Sequence, residues 1–217
     1  APNRYVAVTT VLKNGATVDE YETPFGIRSI KFDPNQGLLV NGQIVKIRGV
    51  CNHHDLGALG SAINTRALER QIELLQEMGC NAIRTSHNPP APELLELCDR
   101  MGMLVMVEAF DCWASGKKPN DYSRNWAAWH EADLRSMVRH NRNHPSVILW
   151  STGNEIAEQW GGNLSQDLTN IIHEEDSTRP VTAGCNYPEA GFNGFQKSVD
   201  VFGYNYKWQY YARFHKD

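Results

Sequence analysis

Residues 146–155 read SVILWSTGNE. Val147, Ile148, Leu149 and Trp150 make up the most apolar strand-like run in the chain, and it ends in Asn154 and a carboxylate, Glu155. A strand interior excludes charge, so a carboxylate just past the last apolar residue is either solvated in a loop or held in a polar pocket.

Short apolar runs on both sides repeat the pattern. IVKIRGV (44–50), NAIRTSH (81–87) and LVMVEAFD (104–111) precede it, and the weaker PVTAG (180–184) and VDVFGYNY (199–206) follow. Helical periods separate them. Thr65 is expected to cap a helix with Leu68, Ile72 and Leu75 on one face and Gly79 at its close. The next carries Pro92 in its first turn, Leu94, Cys98 and Met101 on one face, and Gly102 at its end. A third spans about 126–140, with Trp126, His130, Leu134 and Met137 in register, and a fourth contains Leu164, Leu168, Ile171 and Ile172. Strand-then-helix units in series predict a parallel sheet with crossover helices, either an open doubly wound sheet or a (β/α) barrel. Polar residues end five of the strands: His53, His87, Asp111, Asn154 with Glu155, and Tyr206. In a barrel these ends converge on one mouth, where barrel enzymes keep their chemistry. An open sheet usually carries a Gly-rich phosphate loop after its first strand, but CNHHDLGALG (51–60) contains neither G-x-G-x-x-G nor a Walker lysine. The expected fold is α/β, a (β/α)8 TIM barrel.

Residues 1–40 differ in texture. RYVAVTTVL, the turn KNGA and TVDEYETPFGIRSIKFD read as antiparallel hairpins, the last strands of a β-sandwich, with the barrel occupying 41–217. A net charge of −4 with both signs interspersed offers no stripe for a nucleic-acid backbone and no polybasic membrane patch. The five cysteines are widely spaced without a C-x-x-C pair, so they signal neither a zinc site nor a disulfide framework. His53, His54 and Asp55 lie adjacent, but neighbours on an extended chain point opposite ways, and no metal is expected there. Glu108 reads equally as an internal ion-pair partner of an arginine and as a site residue. Trp113, Trp126 and Trp129 read as packing, whereas an exposed tryptophan at the mouth would stack on a sugar face.

RGVCNHHD (48–55), NAIRTSHNPP (81–90), LCDRMGMLVMVEAFD (97–111), RHNRNHPSVILWSTGNE (139–155) and DVFGYNY (200–206) resemble, in order, signatures of glycoside hydrolase family 2, the family of β-galactosidases, β-glucuronidases and β-mannosidases. The resemblance makes residues 1–40 the end of the immunoglobulin-like domain that precedes the barrel in that family. It makes Glu155 the general acid/base of a retaining mechanism, in which a second carboxylate attacks the anomeric carbon. Asn154 resembles the residue that binds the sugar 2-hydroxyl, His53 and His87 the sugar-binding histidines, and Arg84 the arginine that steadies the nucleophile. Tyr206 resembles the tyrosine that touches the nucleophile, with Tyr204 as a competitor, and Asp111 is assigned to a sugar hydroxyl. Cys112, Trp113 and Ala114 stand where some members hold magnesium, so no metal or cofactor is expected. The family's nucleophile ends strand seven. This chain is expected to cover about six strands of the barrel, with the nucleophile beyond Asp217 and unpaired strand edges that limit solubility of the isolated segment. The resemblance leans toward β-galactosides, with glucuronides or mannosides as alternatives and a non-catalytic carbohydrate-binding fragment as the reading of another class. The expected partners are the carbohydrate and, for the full-length enzyme, further copies of itself.

Overall fold

The structure is a computed structural model that describes residues 2–216. It opens with a hairpin of β1 (Tyr5–Lys13) and β2 (Ala16–Phe25). Asn14 and Gly15 turn it, both at positive φ, as a two-residue hairpin loop requires. Next, β3 (Ile30–Asp33), β4 (Gly37–Val40) and β5 (Gln43–Ile44) form a three-stranded antiparallel sheet.

The remaining strands are β6 (Gly49–His53), β7 (Ala82–Ser86), β8 (Leu104–Glu108), β9 (Val147–Asn154), β10 (Val181–Cys185) and β11 (Val201–Tyr204). They form one parallel sheet whose order follows the sequence from β6 to β11 without reversal. A doubly wound sheet reverses its order at a switch point, and its absence here gives the singly wound path of a barrel. Six of the eight strands of such a barrel are present among the described residues.

Helices α1 (Thr65–Glu77), α2 (Pro92–Met101), α3 (Ser123–Asn141) and α4 (Asn163–Glu175) return the chain between β6 and β10, and the short α5 (Tyr211–Phe214) follows β11. The α1 cap is Asn64, whose Oδ1 accepts from the Ala67 N–H at 2.9 Å, so the expected Thr65 is instead the first helical residue. Pro92 opens α2, and Gly102 closes it with φ 82° while donating to Cys98 O. No α-helix separates β10 from β11: two 3-10 turns, Pro188–Gly191 and Phe195–Ser198, connect them. Pro188, Gly191 and Gly194 punctuate that stretch too closely for a helix to propagate.

The main core lies between the outer face of the sheet and the helices. Ile83, Val105, Val107 and Trp150 meet Ile72, Leu95, Leu134, Leu168 and Ile172, all nearly inaccessible to solvent. A second, smaller core forms where Leu38 of β4 packs on Ile148 and Leu149 of β9, with Ile30, Phe32 and Val40 around it. The three-stranded sheet thus closes the end of the barrel where the strands begin. Ile30, Phe32, Leu38 and Val40 pack with the barrel, and residues 26–28 link them to the hairpin. There Arg28 donates to the carbonyls of Pro145 and Val147. Burial and the neighbouring Arg179 pull the Arg28 guanidinium down to about 10.

The start of β9 is held by polar groups inside the protein. Asp176 Oδ2 accepts from Arg179 Nη1 at 2.6 Å and from the Trp150 indole at 2.9 Å, while its Oδ1 accepts from the Thr178 hydroxyl at 2.6 Å. Arg179 spends its other N–H groups on the carbonyls of Val147, Arg142 and His144. Burial works against the charge of Asp176, but the Thr178 hydrogen bonds and Arg179 outweigh it and hold the carboxyl below its ordinary range. A carboxyl depressed by folding stabilises fully above its unfolded pKa and loses that contribution as pH falls through the folded one. Asp176→Asn is therefore expected to cost about 3 kcal/mol or more at neutral pH, by stranding Arg179. The Tm difference from wild type should shrink as pH is lowered toward about 3, and a pH-independent difference would contradict this account.

Candidate active site

The strand ends opposite the closing sheet carry a connected polar site built around Glu108, the last residue of β8 and completely buried. Arg84 of β7 donates to Glu108 Oε2 through Nη2 at 2.6 Å and Nε at 2.9 Å. The Ser151 hydroxyl of β9 reaches the same oxygen at 2.6 Å, and His87 Nδ1 stands 2.5 Å from Oε1. Burial lowers the Arg84 pKa, but the charge of Glu108 overcomes it and raises the guanidinium above its usual value. The undecided reading of Glu108 resolves as an internal ion pair that also positions site residues.

Arg84 Nη2 also donates to Asn154 Oδ1 at 2.9 Å, which carries the network from β7 to the end of β9. Asn154 Nδ2 donates in turn to Asp111 Oδ1 at 2.9 Å, an oxygen also held by Lys117 Nζ at 2.9 Å. Burial would raise the Asp111 pKa, yet these two donors keep the carboxyl below its usual range. Lys117 donates as well to the Asn154 carbonyl at 2.7 Å.

Glu155 follows Asn154, half-buried, with a left-handed φ of 46°. A non-glycine residue there costs free energy that its surroundings must offset. The offset is visible: its N–H donates to Gly184 O at 2.7 Å, while Asn205 Nδ2 donates to Oε1 at 3.0 Å and Asn186 Nδ2 to Oε2 at 3.2 Å. Asn205 Nδ2 also reaches Asn154 Oδ1 at 3.0 Å, coupling the pair.

His53 presents its ring edge-on to His87, 5.1 Å between centroids at 84°. Tyr206, largely exposed and at φ 62°, lies beside Glu155, which hydrogen-bonds the phenol and raises its pKa. The Tyr204 hydroxyl instead donates to Pro188 O at 2.8 Å. His54 and Asp55 also face elsewhere, toward Ser61 O and the Gly57 N–H.

The seven residues singled out in the sequence (His53, Arg84, His87, Asp111, Asn154, Glu155 and Tyr206) thus gather at one end of the sheet. Asn205, Asn186, Lys117 and Ser151 were not anticipated. Asn205 and Asn186 follow strand ends, the same signal that singled out Asn154, whereas Lys117 comes from an irregular loop whose path no local pattern encodes.

The model of the "Glycosyl hydrolases family 2, TIM barrel domain" matches residues 33–216. A β-galactosidase of Bacteroides ovatus, BoGH2A, is 47% identical over 240 aligned residues, covering 94% of this chain and 28% of that protein. The β-glucuronidase of Homo sapiens is 33% identical, covering 97% of this chain and 32% of that enzyme. A crystal structure of a glycosyl hydrolase family 2 member from Bacteroides cellulosilyticus superposes with a TM-score of 0.94 at 44% identity, over 98% of this chain and 28% of that one. A singly wound parallel sheet with a polar site at its strand ends defines a TIM-barrel domain, and this chain belongs to glycosyl hydrolase family 2. It spans less than a third of the length of these relatives.

Gly184 leaves the space in which the network assembles. A Cβ there would lie 2.7 Å from Arg84 Nη2 and 3.1 Å from both polar side-chain atoms of Asn205. Gly184→Ala is expected to destabilise by about 1–3 kcal/mol through overpacking, readable as a drop in the denaturation midpoint. Unchanged stability would mean that Arg84 and Asn205 reposition freely.

Proposed function

We propose that this chain carries the acid/base half of a retaining β-glycosidase site, with Glu155 as the proton donor and acceptor. The observation that supports it most is the contrast between two neighbouring carboxylates. Glu108 is completely buried and tied to Arg84 and His87. Glu155 sits half-buried, held through its two oxygens by the neutral amides of Asn205 and Asn186, and can gain or lose a proton without breaking an ion pair with a basic side chain.

In this reading Glu155 protonates the glycosidic oxygen while a second carboxylate about 5 Å from it, supplied from outside residues 1–217, attacks the anomeric carbon. Glu155 then takes a proton from the water that releases the sugar. One N–H of Asn154 Nδ2 is committed to Asp111, and the other is left for the sugar 2-hydroxyl, a contact that strengthens in the transition state. Asp111 engages its neighbours through Oδ1 and offers Oδ2 to a sugar hydroxyl. His53 and His87 line the sugar pocket, Arg84 keeps Asn154 in register, and Tyr206 joins the hydrogen bonding around the reacting carboxylates.

The substrate is a terminal β-galactoside. The 47% identity to a β-galactosidase, against 33% to a β-glucuronidase, supports that choice over a glucuronide. Comparison of nitrophenyl β-galactoside, glucuronide and mannoside with the full-length enzyme tests it: a faster glucuronide or mannoside would overturn the assignment, and no turnover at all would favour a binding role.

In the full-length enzyme, Glu155→Gln is expected to slow glycosides with poor leaving groups by about 10²–10⁴-fold and activated aryl glycosides far less, with azide restoring turnover as a glycosyl azide. Equal losses without azide rescue would remove Glu155 from the role. EDTA should leave the activity nearly unchanged. Trp113 is fully buried with its indole donating to Thr152 O at 2.9 Å, and burial pushes the neighbouring Cys112 thiol up, away from the thiolate form. A large loss restored by magnesium would contradict this prediction.

A further inference from the structure

Trp160 and Tyr187 are exposed aromatic residues joined to Glu155 through Asn186 and Gln159, and the chemistry above gives them no task. Trp160 is 59% exposed and Tyr187 39% exposed, and their rings stand 4.6 Å apart at 54°. Each belongs to the segment just past a strand end, Trp160 after β9 and Tyr187 after β10. Left in water, such rings forgo the stabilisation that burial would bring.

Their backbones are fixed to the acid through one buried side chain, Gln159. Its Nε2 donates to Asn186 Oδ1 at 2.7 Å, and Asn186 in turn donates to Glu155 Oε2. Its Oε1 accepts from the Tyr187 N–H at 3.0 Å, and its carbonyl accepts from Asn193 Nδ2 at 2.8 Å. Trp160 is the next residue in the chain, so both aromatics are anchored at the same point as the carboxylate.

We infer that Trp160 and Tyr187 form the platform on which the leaving group of the substrate rests, and that this platform favours leaving groups with a flat apolar ring face. The inference rests on the reading of Glu155 as the acid. The acid must lie against the glycosidic oxygen, so the departing group sits next to Glu155, and the segments tied to Glu155 through Asn186 and Gln159 are the ones that carry the two rings. An aromatic aglycone stacks on such rings through its π face and a pyranose through its C–H face, so both present the same chemistry to the platform. A methyl or fluoride leaving group has nothing to stack.

The test uses the full-length enzyme with Trp160→Ala, and Tyr187→Ala as a second variant, in the sugar series that profiling selects. Four leaving groups separate the possibilities: nitrophenyl, a second pyranose, methyl and fluoride. Trp160→Ala is expected to lower kcat/KM about tenfold for the ring-bearing substrates, with kcat/KM for the methyl glycoside and the glycosyl fluoride within about twofold of wild type. A loss confined to the nitrophenyl or to the disaccharide substrate would assign the platform to that ring type. An equal loss on the methyl glycoside would overturn the inference, because Trp160 would then act through the acid. An equal loss on the fluoride would also overturn it, since it would report damage to the sugar pocket. Unaltered kinetics on all four would remove Trp160 from substrate contact. Absence of turnover of every substrate by the wild-type enzyme would instead bring down the glycosidase reading, and the platform with it.

Discussion

The ion pair between Arg84 and Glu108 is the constraint from which the site is built. A carboxylate with no solvent exposure is tolerable only if its charge is matched and its lone pairs are used. Arg84, Ser151 and His87 meet both conditions at once. A guanidinium is planar and presents its donors in a fixed fork, so anchoring Arg84 on Glu108 also aims its remaining N–H at Asn154. From Asn154 the constraint passes to Asn205 and on to Glu155. Glu155 is therefore oriented by a fully buried group that it reaches through Arg84, Asn154 and Asn205. A single missing member leaves several polar groups unsatisfied rather than one.

Much of this arrangement was legible in the sequence. The strand from Val147 to Asn154 is buried along its whole length, and an apolar run followed by two polar residues is what such a strand looks like on paper. The convergence of His53, His87, Asp111, Asn154, Glu155 and Tyr206 followed from one rule, that polar residues at successive parallel strand ends share a mouth. The illegible parts have physical causes. Asn64 and Thr65 are both good caps, and local sequence does not decide which of two adjacent residues takes the extended conformation. The sheet from Ile30 to Ile44 reads as more antiparallel β structure, because its attachment to the barrel depends on distant partners, Ile148 and Leu149. Trp160 escaped notice for a related reason: an exposed and a buried tryptophan are identical in sequence, and Trp113, Trp126 and Trp129 drew the attention instead.

Two arginines illustrate how the same side chain serves different ends of one barrel. Arg84 works at the ends of the strands, where it joins Glu108 to Asn154. Arg179 works at their beginnings, where it gathers the carbonyls of Arg142, His144 and Val147 around the loop that leads into β9. Both ends of the β9 strand are thus tied by guanidinium groups, and the strand that delivers Asn154 and Glu155 is fixed along its length. This rigidity suits a site whose reacting groups must hold their positions to within a fraction of an ångström.

The left-handed backbone at Glu155, φ 46°, has a bearing on how this protein can change. Glycine accommodates that conformation without a Cβ penalty, and asparagine tolerates it better than most residues do. Selection for thermal tolerance alone would therefore reward glycine or asparagine at the position proposed above for the acid/base. A library sorted by heat resistance or by expression level would be enriched in chains that lack this carboxylate.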